Sequence, residues 1–249
     1  MIGWTLFLHS VSMVQRNLPQ LLKIFLVPSL IAMGIAYLLL GGLFGGGWMQ
    51  EQRGEGPQLF AVLWRIVGMS IVVGVIGAWT AVVWHRYVLL EEHPNGWLPS
   101  FYKAEVGNYI IGLIKLIVIG IVVIGVVMFI GIALISGMGM VGLAFLLVIA
   151  ILIAVFMYRI VLILPAAALG KPLGIGESFE LTAGAFGTLF VLALCLFGLQ
   201  LLSELILYLL ADAVLIAIVL QLIFSVGLAV LNISALTTLY GYYVEKRAI

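Results

Sequence analysis

The feature that most constrains this chain is a stretch of 43 residues, 116–158, that contains no charged side chain. As one helix it would be about 65 Å long, at a rise of ~1.5 Å per residue. Since the hydrocarbon core of a bilayer is only ~30 Å thick, the stretch is too long for one crossing and long enough for two. The helix-breaking glycines are concentrated in residues 136–142. We therefore predict two membrane-spanning helices joined by a tight turn.

The composition supports a membrane protein. Hydrophobic residues make up 65% of the 249 residues and charged residues 8%, whereas a soluble domain is ~45–50% apolar and ~25% charged. This excludes or strongly disfavours a soluble enzyme, a disordered chain, a coiled coil or a nucleic-acid-binding protein. The single cysteine, Cys195, cannot form an intrachain disulfide. We predict an all-α polytopic membrane protein with a single membrane domain over residues 1–249.

Long apolar segments predict six transmembrane helices. Trp4, Phe7, Leu8 and Val11 recur at helical spacing before the first of them, which predicts an amphipathic interfacial helix over 4–20. The alternative, that these residues are an ordinary start of the first span, stays open. The predicted spans cover about 24–46, 59–84, 110–135, 142–164, 186–210 and 213–243.

The positions of the basic residues predict the orientation. Nine of the eleven Lys and Arg residues fall on the side that carries both termini, and only Arg53 and Arg65 fall on the other. Because cytoplasmic loops carry an excess of Lys and Arg, we predict that both termini are cytoplasmic. The opposite side carries the acidic residues Glu51, Glu55, Glu204 and Asp212. Three tryptophans, Trp48, Trp84 and Trp97, fall at predicted membrane interfaces.

The six spans form a weak internal repeat. Half-polar segments with apolar anchors, 4–23, 97–115 and 172–188, precede the first, third and fifth spans. Each following pair of spans ends with an aromatic residue followed by a base. We therefore predict three helical hairpins, each preceded by an amphipathic cytoplasmic elbow helix.

Four short segments carry a resemblance to known proteins. They are 84–92 (Trp-His-Arg-Tyr-Val-Leu-Leu-Glu-Glu), 159–168, 177–184 (Glu-Ser-Phe-Glu-Leu-Thr-Ala-Gly) and 236–241 (Leu-Thr-Thr-Leu-Tyr-Gly). They resemble a group of uncharacterised six-helix alphaproteobacterial inner-membrane proteins, and more distantly the YciC-type family and the membrane domain of some glycerophosphodiester phosphodiesterases. The resemblance implies six helices in a bacterial inner membrane. It implies no activity, since this sequence contains no soluble phosphodiesterase domain.

Two motifs invite a chemical interpretation. Residues 137–142 match the dinucleotide-binding pattern G-x-G-x-x-G, but they lie between apolar helices, which favours a hairpin turn. His85, Glu91, Glu92 and His93 share one loop region. A metal site requires at least three converging ligands, and no third firm ligand is evident. We predict a charge network with Arg86 at a helix end instead.

Charged and polar residues within the spans define the remaining candidate sites. Arg65 and Glu204 could pair with each other, extend separately to the interface, or mark a substrate or proton path. Gln200, Gln221 and Asn232 could bond between helices, or form with Glu204 a polar pocket between spans two, five and six.

The ends of spans one, three and four carry two further features. Arg159 and Lys115 are candidates for contact with lipid phosphates, although anchoring by positive charge explains them as well. Gly41, Gly42, Gly45 and Gly46 suggest either a close helix contact at the end of span one or the start of the outer loop.

The sequence predicts no catalytic residues, no cofactor and no metal. We expect a non-enzymatic protein, a scaffold or accessory subunit of an inner-membrane complex. Its expected partners are the lipid bilayer and another membrane protein or a second copy of the chain, and nucleic acid is not expected. The alternative is a transporter of small molecules or lipids, or a lipid-handling protein, that uses the polar pocket between spans two, five and six.

Overall fold

The computed structural model describes residues 2–42, 59–94 and 96–248. In these ranges the chain is helical, without strands. The helices are α1 (Ile2–Arg16), α2 (Leu18–Gly42), α3 (Leu59–Leu90), α4 (Lys103–Met138), α5 (Met140–Ile160), α6 (Ile163–Ala168), α7 (Ile175–Leu181), α8 (Phe186–Leu209) and α9 (Val214–Tyr243).

Six of these helices, α2, α3, α4, α5, α8 and α9, are long and apolar enough to cross a membrane. The prediction of an all-α polytopic membrane protein with six spans is confirmed. The bounds of α8 and α9 agree with the predicted fifth and sixth spans. The fourth span differs, because α5 ends at Ile160 and a short break at 161–162 separates it from α6.

The spans pair as three hairpins. The α2 helix packs on α3, α4 on α5, and α8 on α9, and further packing of α3 on α4, α5 on α8 and α9 on α3 closes a ring of five spans. The short helix α6 packs against α3, α4 and α9, and all of its residues, Ile163 to Ala168, are buried. It therefore fills the ring at one end.

Most buried side chains lie at that end, which we call the basal layer. It consists of α1, α6, α7 and the adjoining ends of the spans, at residues 21–25, 78–90, 103–116, 155–160, 186–196 and 230–243. Towards the opposite end of the bundle, which we call the distal end, large apolar side chains such as Val122 and Phe129 are exposed. Buried side chains are thus concentrated at the end that carries both termini.

The amphipathic segment before span one forms a separate helix, α1. Its buried side, which includes Leu6, Phe7 and Ser10, packs across α8 and α9. One exposed flank is apolar, with Trp4 and Leu8. The other is polar, and it contains His9 and Arg16. A helix with these three sides suits a membrane surface. The helix ends at Arg16, earlier than the predicted residue 20, and α2 begins at Leu18.

The approaches to the second and third hairpins differ from each other. The predicted elbow over 97–115 is not a separate helix, because residues 97–102 are non-helical and α4 continues unbroken from Lys103. The third approach contains a separate helix, α7, after the buried α6. The segment that precedes the hairpin is therefore non-helical in the second hairpin and contains a short helix in the third.

The pattern G-x-G-x-x-G forms the turn between α4 and α5, as the hairpin interpretation predicts. Gly139 has φ +55, a conformation that glycine adopts without a steric penalty. Its N–H donates to the carbonyl of Ile135 at 2.9 Å. Gly142 lies against the backbone of α4, where an added Cβ would collide with the carbonyl oxygen of Leu134.

Several predicted features lie outside the described residues. These are Trp48, the acidic residues Glu51 and Glu55, the base Arg53, and the glycines Gly45 and Gly46 of the proposed close contact. Gly41 and Gly42 are the last residues of α2.

Replacing Gly142 with alanine should destabilise the hairpin of α4 and α5. The new methyl group must displace the backbone at Leu134, and overpacking of this kind costs typically ~1–3 kcal/mol. Thermal unfolding of the purified protein in detergent measures the effect. Gly137→Ala is the matched control, because nothing lies within 4 Å of its Cβ position. A Gly142→Ala variant as stable as the Gly137→Ala variant would contradict this description of the turn.

Candidate functional site

The two charged residues within the spans, for which pairing was one of three expectations, are separate. Arg65 on α3 and Glu204 on α8 are both exposed, and the ion pairs of the described residues do not join them. The main packing neighbours of α8 are α1, α5 and α9, and α3 is not among them. Glu204 instead accepts a hydrogen bond at 2.8 Å from Nε2 of Gln200, one turn earlier on α8.

The other two residues of the predicted polar pocket lie elsewhere on α9. Gln221 donates to Ser225 at 3.1 Å and lines an open, mainly apolar cavity of about 340 Å³ between the distal ends of α8 and α9. Asn232 donates to the carbonyl of Leu228 at 2.8 Å and accepts from Tyr158 at 3.4 Å. The structure therefore brings Gln200 and Glu204 together, but it does not gather all four residues into one pocket.

Arg159 fastens the end of α5 to the elbow helix α7. Its Nη2 donates to the carbonyl of Phe179 at 2.7 Å, and its Nε donates to Oγ1 of Thr182 at 3.2 Å. The guanidinium carbon lies 3.3 Å from the centre of the Phe179 ring. Lys115 is exposed and lines a cavity of about 110 Å³ with Asn108. Contact of either base with a lipid phosphate remains a prediction.

A group of buried polar contacts lies in the basal layer around His85. This side chain is completely buried. Its Nδ1 lies 2.8 Å from Oγ1 of Thr237, and its Nε2 lies 3.4 Å from the hydroxyl of Tyr109. The Thr237 hydroxyl donates to the carbonyl of Ile233 at 2.8 Å. His85 must therefore donate from Nδ1 to Thr237, and Nε2 is left to accept from Tyr109.

This hydrogen-bond pattern has a chemical consequence. A histidine that activates a hydroxyl nucleophile accepts that group's proton, but here the proton of Thr237 points at a backbone carbonyl and His85 is the donor. The neutral Nδ1–H tautomer satisfies both neighbours. His85 therefore joins α3, α4 and α9 in the centre of the basal layer, and it does not form a nucleophile–base pair with Thr237.

Of the four residues in the predicted charge network, Glu92 is the one that pairs with Arg86. The Nε and Nη2 of Arg86 donate to both oxygens of Glu92, at 2.8 and 2.6 Å, and its Nη1 donates to the carbonyl of Ala168 at 3.2 Å. Glu105 lies 3.6 Å from Nη1. The guanidinium carbon is 4.3 Å from the ring centre of Tyr102, whose hydroxyl donates to Glu92 at 2.9 Å.

These contacts shift the acid–base properties of the loop. The hydrogen bond from Arg86 holds the pKa of Glu92 below its ordinary value. Burial, together with the hydrogen bond to Glu92, raises the pKa of Tyr102. Glu92 is therefore an ionised partner that fixes the end of α3 to the start of α4.

Two further polar contacts join α1 and the residue after it, Asn17, to the bundle. Ser10 is buried, and its single hydroxyl proton has two acceptors within reach, the carbonyl of Leu6 at 2.8 Å and Oγ1 of Thr238 at 3.1 Å. The hydroxyl of Tyr87 donates to Oδ1 of Asn17 at 2.6 Å. Sequence reasoning did not identify these contacts. The only signal was the pair Thr237 and Thr238 inside an apolar span, and such residues usually bond to their own helix.

His93 does not join the polar centre. Its Nδ1 lies 2.8 Å from the carbonyl oxygen of Glu91, and its ring packs on the ring of Tyr87. Within 2–42, 59–94 and 96–248, no three His, Cys, Asp or Glu side chains are placed to hold a metal ion.

Comparisons of the chain with models of protein families, with curated proteins and with solved structures find no match. The resemblance to the six-helix inner-membrane proteins therefore stays a prediction.

Replacing Thr237 with valine should destabilise the basal layer. The variant keeps the shape of the side chain but leaves the buried His85 donor unpaired, which costs about 1–3 kcal/mol. Thr80→Val is the control, because Thr80 is also buried but bonds only to carbonyls of its own helix, those of Ile76 and Gly77. In thermal unfolding in detergent, the unfolding temperature should fall further for Thr237→Val than for Thr80→Val. An equal fall in both variants would contradict the role assigned to Thr237.

The depressed pKa of Glu92 predicts a pH dependence of stability. The carboxylate is stabilised in the folded state, so its contribution is complete above the unfolded pKa, near 4.5, and is lost as the pH falls through the lower folded value. Glu92→Gln should lower the unfolding temperature at neutral pH and reduce its fall below about pH 4.5. Glu91→Gln, at the exposed neighbouring position, should retain the wild-type profile. Identical acid profiles for both variants would refute this role for Glu92.

Proposed function

We propose that the protein is a non-enzymatic scaffold or accessory subunit of a bacterial inner-membrane complex. The main support is the position of α6, whose six residues are all buried inside the ring of spans. A transporter needs a polar route through the bundle, whereas here an apolar helix and the contacts of His85 and Arg86 fill the basal end. Arg65 and Glu204 are exposed on separate spans, which favours roles at the surface of the bundle.

The distal half of α3 offers a surface suited to another transmembrane helix. Ser70 and Gly74 lie one turn apart, and both are exposed. Nothing lies within 4 Å of the position that a Cβ on Gly74 would take. Small residues four positions apart let two helix backbones approach closely within a membrane. This spacing favours close packing of a second helix and offers no comparable benefit to lipid tails. The spacing of Ser70 and Gly74 therefore supports a protein neighbour at this surface.

The basic residues support a cytoplasmic location for the basal layer. Arg16, Arg86, Lys103, Arg159 and Arg247 all lie at this end of the bundle. An excess of Lys and Arg is typical of cytoplasmic segments. The N- and C-termini would then both be cytoplasmic.

Lipid handling is the second candidate function, and one feature favours it. An open apolar groove of about 270 Å³ lies between α8 and α9, with Leu202, Ser203 and Phe224 among its lining residues. A groove of this kind can accept an acyl chain. The neighbouring Gln200 and Glu204 would supply a polar contact.

Crosslinking in native membranes tests the scaffold proposal. A photoreactive residue in place of the exposed Val73 on α3 should give a discrete adduct with a different membrane protein. When Gly74→Leu is added to this photoreactive variant, the adduct should be lost, because the leucine side chain keeps a partner helix at a distance.

Gly125→Leu on α4 is the matched control, since its Cβ position is equally open but its neighbours four residues away are Ile121 and Phe129. It should leave the adduct unchanged. No adduct, or adducts only between copies of this chain, would overturn the accessory-subunit proposal. Lipid exchange between vesicles catalysed by the purified protein would favour the second candidate.

A further inference from the structure

A polar pocket of about 360 Å³ lies in the basal layer between α1 and the end of α9. The polar flank of α1 forms one wall, and the end of α3 and the residues after α9 complete it. Two arginines and a histidine line the pocket, and its described lining contains no acidic residue. The lining residues are His9, Ser12, Met13, Arg16, Asn17, Val88, Leu89, Thr237, Thr238, Gly241, Tyr242, Arg247 and Ala248.

Arg16 supplies a positive charge that has no ion-pair partner among the described residues. It is exposed at the last position of α1, and no hydrogen bond or ion pair joins it to the described residues. Its charge acts on the pocket, because burial and then Arg16 lower the pKa of His9. Both effects disfavour a second positive charge on the histidine.

Arg247 is held at the rim by two contacts. Its Nη2 donates to the carbonyl of Leu89 at 2.6 Å, and its Nε lies 2.7 Å from Oε2 of Glu245. Glu245 balances the charge of Arg247 from outside the pocket lining. Arg16 is therefore the arginine of the pocket lining that has no carboxylate partner, and the hydroxyl of Ser12 lies one turn before it on the same wall.

We propose that this pocket binds a phosphate group, carried either by a phospholipid headgroup or by a soluble phosphate compound. Arginine donors suit the oxygens of a phosphate. The volume is within the range of small-ligand sites, ~300–1,000 Å³, and exceeds the need of a bare ion. The pocket lies on the polar flank of α1, beside the apolar flank of Trp4 and Leu8. A membrane-surface helix with these flanks is at the depth of lipid phosphates. The proposal does not depend on the scaffold function.

Binding measurements on the full chain in a phosphate-free maltoside detergent test the proposal. One arm titrates inorganic phosphate, and the other titrates short-chain phosphatidylglycerol, with calorimetry as the readout. We expect saturable binding in at least one arm. Binding in the first arm indicates a soluble phosphate ligand, whereas binding only in the second indicates a lipid headgroup.

Two variants and a control identify the site. Arg16→Gln should weaken binding at least about tenfold, the usual result of losing a hydrogen bond from a charged donor. Ser12→Phe should abolish binding by filling the pocket. Lys246→Gln removes the same charge from an exposed position outside the lining, and it should change the affinity less than about twofold. Absence of saturable binding in both arms, or equal loss in Arg16→Gln and Lys246→Gln, would overturn the proposal.

Discussion

Where water is excluded, every backbone N–H and carbonyl must find a partner within the protein. Long helices satisfy this requirement along their length, but each helix leaves up to four carbonyls free at its end. In this protein three arginines of the basal layer bond to such carbonyls. Arg86 donates to Ala168, the last residue of α6, Arg247 to Leu89 near the end of α3, and Arg159 to Phe179 in the last turn of α7.

These arginines join helices that are distant in the sequence. Arg86 on α3 reaches α6, Arg159 on α5 reaches α7, and Arg247 after α9 reaches α3. Each bond therefore gives a carbonyl near a helix end a donor and fixes the position of that helix end, although the carbonyl of Phe179 also accepts from Oγ1 of Thr182 at 3.1 Å. The centre between them is filled by α6 and by the completely buried His85. This explains why most of the buried side chains lie in the basal layer.

The large features of the fold follow from the sequence because they depend on length and polarity. A charge-free stretch of 43 residues requires two crossings and a turn, and the turn lies at Gly139 as expected. The helix α6 could not be predicted, since its apolar residues look like the end of a span. Its separation from α5 depends on packing against α3, α4 and α9, which a linear pattern does not reveal.

The candidate site shows the same division. The network of Arg86 and Glu92 was predictable, because the two residues lie six positions apart at a helix end. The partner of His85 was not, because Thr237 is 152 residues away. For Gln200, Gln221 and Asn232, the position along the span predicts the depth in the membrane but not the side of the helix that faces the other spans. Only the packing of α8 and α9 decides that these side chains lie on exposed surfaces.

The basic residues have two roles that a count along the sequence cannot separate: they orient the protein in the membrane, and some of them bond to other parts of the fold. All of them contribute to the orientation of a membrane protein, whether or not they hold the structure together. Among the described residues, Arg86, Arg159 and Arg247 bond to helix ends, whereas Arg16 and Arg65 have no such bonds. A guanidinium that has no hydrogen bond or ion pair within the protein keeps its donors available for a ligand, a lipid or water. Arg16 differs from Arg65 because it lines a polar pocket, so of these two residues it is the one whose surroundings indicate recognition.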